Sequence, residues 1–173
     1  MQIRQACEWD IPGLAETHVA AWHAAYRGIM PDAIIDAMTL EGRRAGWTKT
    51  LADARRRNLV CLIDDRVIGF SSFGPSREPD ADSDEAEIVA MYVHPEFWRT
   101  GAGRTLCRET FEKVREEFNT IMVWVLRDNE RARKFYEAMG FALVQGKEKQ
   151  LPWFGNSPEV CYRRDLTTNP QCG

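Results

Sequence analysis

Metal and disulfide chemistry have little to rest on in this sequence. Its five cysteines, Cys7, Cys61, Cys107, Cys161 and Cys172, are scattered and odd in number. No two have CxxC spacing, and His18, His23 and His94 do not cluster with them, so a structural zinc site is not expected. Cys61, Cys107 and Cys161 sit in apolar patterns and read as small buried hydrophobes in a reducing compartment. Basic charge is not in excess either: a net charge of −3 and a pI near 5.7 argue against a general nucleic-acid binder. No apolar run approaches membrane-spanning length, and the N-terminal segment carries acids and Trp9 instead of a basic region before an apolar core. The expectation is a cytoplasmic protein. Repeats and low-complexity tracts are absent as well. What is present, 44% hydrophobic and 28% charged among 173 residues, suffices for a single compact domain with a sizeable core. That domain is expected over residues 1–166, followed by a loose polar tail at 167–173.

The chain is organised around residues 87–117. Ile88 to Val93 is an apolar, β-branched run without polar alternation, the pattern of a strand covered on both faces. A turn at His94-Pro95 leads to Gly101 and Gly103. After them Cys107, Phe111, Val114 and Phe118 mark the apolar stripe of an amphipathic helix. A helix start leaves backbone N–H groups unpaired and carries partial positive charge, and glycines ahead of it admit a phosphate to the backbone. Arg99 and Arg104 add cations. Strand-to-helix loops also hold glycines for steric reasons alone, and the spacing fits neither common phosphate loop. A mononucleotide loop needs Lys followed by Ser or Thr where this chain has Arg104-Thr105, and the dinucleotide fingerprint needs a third glycine where it has Leu106.

Around this unit the reading is a strand at residues 2–6 and a helix at 11–27 capped by Asp10, with Pro12 in its first turn and Gly28 at its stop. Ala15, Val19, Trp22 and Tyr26 share a face of it. Core packing explains most of that stripe, while Trp22, His23 and Tyr26 bunch near its end, where aromatics could line a pocket. A short helix follows Pro31, and Thr39 caps a third that fades near Asp53. Strands at 58–63 and 66–73 form a hairpin about Asp64-Asp65. The loop at 74–84 carries an acidic cluster, Asp80, Asp82, Asp84 and Glu85, explained by solvation or by attraction of a cationic amine. Residues 120–126 form another apolar strand, and a helix bearing Ala132, Phe135 and Met139 ends at Gly140. Strands beginning at Phe141 and Glu159 pair across a loop at 151–158.

Two stretches carry a family resemblance. Trp98-Arg99-Thr100-Gly101-Ala102-Gly103, after Val93-His94-Pro95, resembles the acyl-CoA loop of the GCN5-related N-acetyltransferases, Gln/Arg-x-x-Gly-x-Gly/Ala after a strand ending in Val-x-Pro. Trp98 departs from that pattern. The segment from Asn129 through Ala132 and Tyr136 to Gly140-Phe141 resembles the family's other signature, Asn-x-x-Ala-x-x-x-Tyr-x-x-x-Gly-Phe. The resemblance implies a mixed α/β fold, the acyl-CoA N-acyltransferase fold, with about seven strands in a central sheet and about four helices. It further implies acetyl-CoA as cosubstrate, without a metal, lying in a V between the strands at 87–93 and 120–126.

The site residues follow from the same resemblance. Main-chain donors at Met91, Tyr92 or Val93 would stabilise an oxyanion, and Arg99, Thr100, Gly101, Ala102, Gly103 and Arg104 would cradle the diphosphate. Asn129, otherwise a plain helix cap, would bond the pantetheine arm. Tyr136, otherwise packing beside Phe135, would protonate the leaving thiolate. Glu87, set as in the histone-acetyltransferase branch, would be the base, its pKa raised by desolvation, with Glu85 the nearest substitute. Trp22, Tyr26 and Trp153, with Phe154, would close over an acceptor. The implied function is transfer of an acetyl group to a primary amine of a small molecule or peptide by direct attack in a ternary complex; the oligomeric state stays open, a homodimer being one assembly the resemblance allows. The alternatives are a non-catalytic CoA-binding regulatory module and a protein or N-terminal acetyltransferase.

Overall fold

A computed structural model describes residues 1–150 and 158–167. Seven strands form one sheet: β1 (Gln2–Gln5), β2 (Arg57–Ile63), β3 (Arg66–Pro75), β4 (Glu85–Val93), β5 (Thr120–Leu126), β6 (Ala142–Lys149) and β7 (Glu159–Asp165). Their order is β1-β2-β3-β4-β5-β7-β6, antiparallel throughout except for the parallel pair β4–β5. Five α-helices lie on it: α1 (Ile11–Tyr26), α2 (Asp32–Asp36), α3 (Leu40–Ala52), α4 (Ala102–Val114) and α5 (Glu130–Ala138). Among the described residues no helix is long and apolar enough to cross a membrane.

The two sheet faces are covered differently. Leu106, Cys107, Phe111 and Val114 bury the stripe of α4 against Leu59, Phe73, Ile88 and Ile121, and α5 adds Tyr136 and Met139. On the opposite face Leu14 and Ala15 of α1 and Trp47 of α3 close over Val60, Val67 and Phe70. Local signals act as their chemistry dictates. Asp64 and Asp65 turn the β2–β3 hairpin with φ of 47° and 60°. Thr39 Oγ1 accepts from the Gly42 N–H at the start of α3. Asp10 behaves otherwise: its carboxylate makes no cap bond and instead binds Arg4 at 2.7 and 2.8 Å and the Cys7 N–H at 2.8 Å. An arginine on the neighbouring strand outcompetes the helix amides.

The feature that positions the site is a bulge in β4. Ser72 pairs with Ala90 and Phe73 with Ile88, so Val89 is an extra residue. The insertion reverses which side chains face which layer. Ala86 and Ile88 point to α4 before it and Met91 and Val93 after it, while Ala90 and Tyr92 turn to α1. Pairing of β4 with β5 runs from Glu85–Thr120 to Ile88–Val123. Beyond Ile88, β4 stays with β3 and β5 stays with β7, and the sheet opens into the expected V. The loop at 151–157, with Trp153 and Phe154, and the tail beyond Thr167 lie outside the described residues.

Candidate active site

At one end of the V the chain builds an anion cradle. Arg99 and Gly101 take φ of 65° and 92°, the left-handed region, and Gly101 is the N-cap of α4. The first intrahelical bond of that turn is Thr105 N–H to the Gly101 carbonyl at 3.0 Å. Helix geometry therefore leaves the amides of Ala102, Gly103 and Arg104 without intrahelical partners. A Cβ placed on Gly101 meets nothing within 4 Å, so the approach to this turn is open. Thr100 and Arg104 are exposed beside it, whereas Ala102 is buried. Trp98, the departure from the family pattern, donates its indole N–H to the Val93 carbonyl at 2.7 Å and lies under Arg131 at 3.5 Å. It thus fastens the loop to the end of β4 by its ring. The donor set suits a diphosphate: backbone N–H groups, a helix start and two guanidiniums.

Ladder alternation sorts the three backbone candidates. His94 N–H bonds the Ile68 carbonyl at 2.8 Å, and Val93 stands opposite Gly69. In an antiparallel ladder the amides of His94 and Tyr92 then face β3, while those of Val93 and Met91 face away from it, into the V. Met91 and Val93 are the free donors. Tyr92 contributes its side chain, on the α1 face.

Tyr136 is only 6% exposed, edge-on to Phe135 and Phe141 at 5.3 Å each. Burial pushes its hydroxyl well above the ordinary phenol range, with Cys107 and Tyr26 adding to the effect, so it is protonated at neutral pH. Asn129 accepts from the Ala132 N–H at 3.1 Å and caps α5, as its position in sequence suggests. Its side-chain amide nitrogen is not engaged by that cap.

On the α1 face the V opens into a cavity of about 530 Å³. Trp22 and Tyr26 stand over it with ring centroids 4.6 Å apart, and Tyr26 bonds Tyr92 hydroxyl to hydroxyl at 2.9 Å. Its far wall is charged and acidic on balance: Glu87 from β4, Glu159 from β7 and Glu78 past β3, set among Arg77, Trp124 and Lys149. Glu87 is 2% exposed and held by Arg77 through the side-chain Nε at 2.8 Å, the backbone N–H at 3.2 Å and a third bond from Nη2. Burial alone would raise its pKa, but the bonds and charge of Arg77, helped by Lys149, hold it below the usual carboxylate range. The upward shift expected of Glu87 is therefore reversed. Glu85, buried one turn of the pleat away, is ion-paired with Arg163. The acidic loop is likewise tied down, Asp80 by Lys147, Asp82 by Arg163 and Asp84 by Asn119.

The structure adds four residues that sequence reasoning passed over: Arg77, His18, Trp124 and Glu159. Burial drives the pKa of His18 down to about 3, and its ring stacks on Tyr92 at 5.0 Å, so it is a neutral wall of the cavity. None of the four has a local signature. Arg77 lies ten residues from Glu87 in a loop rich in charge, and Glu159 meets the cavity only because β7 inserts between β5 and β6.

A mixed sheet that splits at its parallel pair, with a glycine-started helix at one mouth, is the build of the acyl-CoA N-acyltransferases. The chain belongs to the Acetyltransferase (GNAT) family, whose model matches residues 19–141. It is 30% identical to the uncharacterized N-acetyltransferase YuaI of Bacillus subtilis, over 73% of this chain and 72% of that one. It is 28% identical to the L-amino acid N-acyltransferase MnaT of Escherichia coli, over 90% of this chain and 85% of that one. Among solved structures it resembles the PaiA N-acetyltransferase of Thermoplasma acidophilum in complex with coenzyme A. The TM-score is 0.75 at 19% identity, over 95% of this chain and 98% of that one. The protein is thus an N-acetyltransferase of this family.

Proposed function

We propose that the protein acetylates the primary amine of a small molecule inside the cavity between α1 and the split sheet. The observation that carries this reading is the cavity itself. At about 530 Å³, walled by Trp22 and Tyr26 and lined by three carboxylates, Glu78, Glu87 and Glu159, against two cations, Arg77 and Lys149, it suits a compact cation better than a polypeptide laid along an open groove. The similarity to a relative named as an L-amino acid N-acyltransferase supports a small acceptor.

The chemistry divides among residues already in place. The free amides of Ala102, Gly103 and Arg104, with Arg99, Thr100 and the open approach at Gly101, hold the diphosphate of acetyl-CoA. Met91 N–H donates to the thioester carbonyl as charge develops on its oxygen, Val93 N–H and Asn129 hold the pantetheine arm, and Tyr136 gives a proton to the departing sulfur. Glu87, fixed as an anion by Arg77, draws the acceptor's ammonium to the acidic wall. Its low basicity suits it to attraction better than to the base role that its sequence setting suggested.

A thiol-release assay with a panel of amines tests the proposal. Small primary amines should release CoA, and peptides with free N-termini or lysines should do so far more slowly. Binding of acetyl-CoA without release by any acceptor would instead mark a regulatory CoA-binding module, and faster release with peptides would mark a protein acetyltransferase.

A further inference from the structure

We infer that Glu159 is the group that takes the proton from the acceptor amine. This rests on the small-amine reading above and supplies the base that reading lacks. Glu159 opens β7 opposite Leu126 of β5 and Lys149 of β6, on the sheet face that carries α1, and its side chain is 15% exposed where it lines the cavity.

Its bonding distinguishes it from Glu87. Both oxygens of Glu87 are engaged by Arg77 through three hydrogen bonds, which stabilise its anion and make it a poor base. Glu159 has a single ion-pair partner among the described residues, Lys149 at 3.6 Å. That partner is shared: the same ammonium reaches Glu78 at 3.9 Å and lies over the Trp124 ring at 4.0 Å. One oxygen of Glu159 is thus left for the cavity.

The charged and titratable groups facing it are Lys149 on β6, Arg77 just past β3, Glu87 and Tyr92 on β4 and Tyr26 on α1. Burial is the largest influence and, with the Glu87 charge, raises the carboxyl above its ordinary range against the pull of Lys149 and Arg77. A carboxylate in that position is more basic than a solvated one and nearer the working pH.

The step balances simply. One N–H bond of R–NH3⁺ breaks and an O–H bond forms on Glu159, leaving R–NH2. The nitrogen lone pair forms the C–N bond at the thioester carbon, and the C–S bond breaks as Tyr136 protonates sulfur. The second N–H proton restores Tyr136, and Glu159 returns its proton to water. The products are the amide, CoA thiol and one proton.

The test compares the wild-type enzyme with Glu159→Gln and Glu159→Asp by thiol release, using the best amine of the panel, from about pH 5 to about pH 9. Glu159→Gln should lose about 10²- to 10⁴-fold in kcat, keep its affinity for acetyl-CoA, and lose the acidic limb of the kcat/KM profile. Glu159→Asp should keep a limb at a shifted pH, and this variant carries the test if the glutamine variant does not fold. A Glu159→Gln enzyme with the wild-type limb and a rate within about threefold of wild type would overturn the inference alone. An unshifted limb in Glu159→Asp would do the same. A wild-type enzyme that releases no thiol with any amine of the panel would overturn both this inference and the reading beneath it.

Discussion

The hydroxyls of Tyr26 and Tyr92 lie 2.9 Å apart, joining the end of α1 to the strand that borders the V. Burial pushes both phenols above their ordinary range, so the bond persists between two protonated groups at neutral pH. Tyr136, approaching from the α4 face, adds its field to Tyr92 and is itself raised by that of Tyr26. Three phenols from three elements therefore surround the place where β4 and β5 part, and the aromatic end of α1 is tied to β4 by the Tyr26–Tyr92 hydrogen bond.

Removing that bond should loosen the end of α1 more than the fold. Tyr26→Phe leaves the Tyr92 hydroxyl without its partner, which costs about 1–2 kcal/mol. We expect a modestly lower unfolding midpoint in urea and a rise in KM for the amine that exceeds any fall in kcat. An unchanged KM would show that α1 does not shape the acceptor cavity.

The two glycines of the cradle should separate cleanly. Gly101 holds a φ of 92°, so Gly101→Ala strains the backbone by about 1 kcal/mol and also puts a methyl group at the approach to the helix start. Gly103 lies in the first turn of α4, and a Cβ there would meet Phe135 at 3.5 Å and Val93 at 3.7 Å, ordinary contacts. Gly103→Ala should therefore match or exceed wild-type stability, by up to about 1 kcal/mol, because alanine reduces the freedom of the unfolded chain. Calorimetric titration with CoA should show weaker binding for Gly101→Ala. Equal affinity in that variant would remove the cradle assignment.

What was legible in the sequence was local. Gly101 and Asn129 announce helix starts within a few residues, and Asp64-Asp65 announces its turn, because the physics of each is set by near neighbours. The parity of β4 was not legible. Val89 belongs to an unbroken apolar run, and where both faces of a strand are covered, a bulge leaves no trace in the alternation of side chains. Without it Glu87 and Tyr92 would face opposite layers. The sign of the Glu87 shift was hidden for a similar reason, since it is decided by Arg77, which folds back from the following loop. Glu159 depends on a strand order that departs from the chain order, and nothing near it in sequence encodes that.

Tyr136 gives the sharpest catalytic test. Its hydroxyl shift owes nothing to a hydrogen bond, so Tyr136→Phe should keep the packing with Phe135 and Phe141 and lose little stability. CoA should bind as before while kcat falls by about ten- to a thousandfold, the effect of losing an acid step. Because burial holds the phenol well above its ordinary range, its ionisation should leave no alkaline limb in the wild-type profile below about pH 10. A rate equal to wild type would reduce Tyr136 to packing.

Arg77→Met probes the acidic wall through stability and its pH dependence. Glu87 is almost wholly buried, so removing its partner leaves a charge that burial opposes. Breaking such a pair costs about 3–5 kcal/mol, and the half-exposed Arg77 places this one at about the lower end. In the wild type the folded-state pKa of Glu87 lies below its unfolded value. Its contribution is therefore complete above the unfolded value and fades as pH falls through the folded one. In Arg77→Met the balance reverses, because burial is the largest influence on Glu87 and nothing of equal size then opposes it. The folded-state pKa should rise above the unfolded value, and the variant should gain stability on mild acidification, over which the Glu87 contribution in the wild type stays constant until the pH nears the unfolded value. Urea midpoints measured from neutral pH down to about pH 4 read this directly, and parallel curves for the two proteins would mean that Arg77 does not set the ionisation of Glu87.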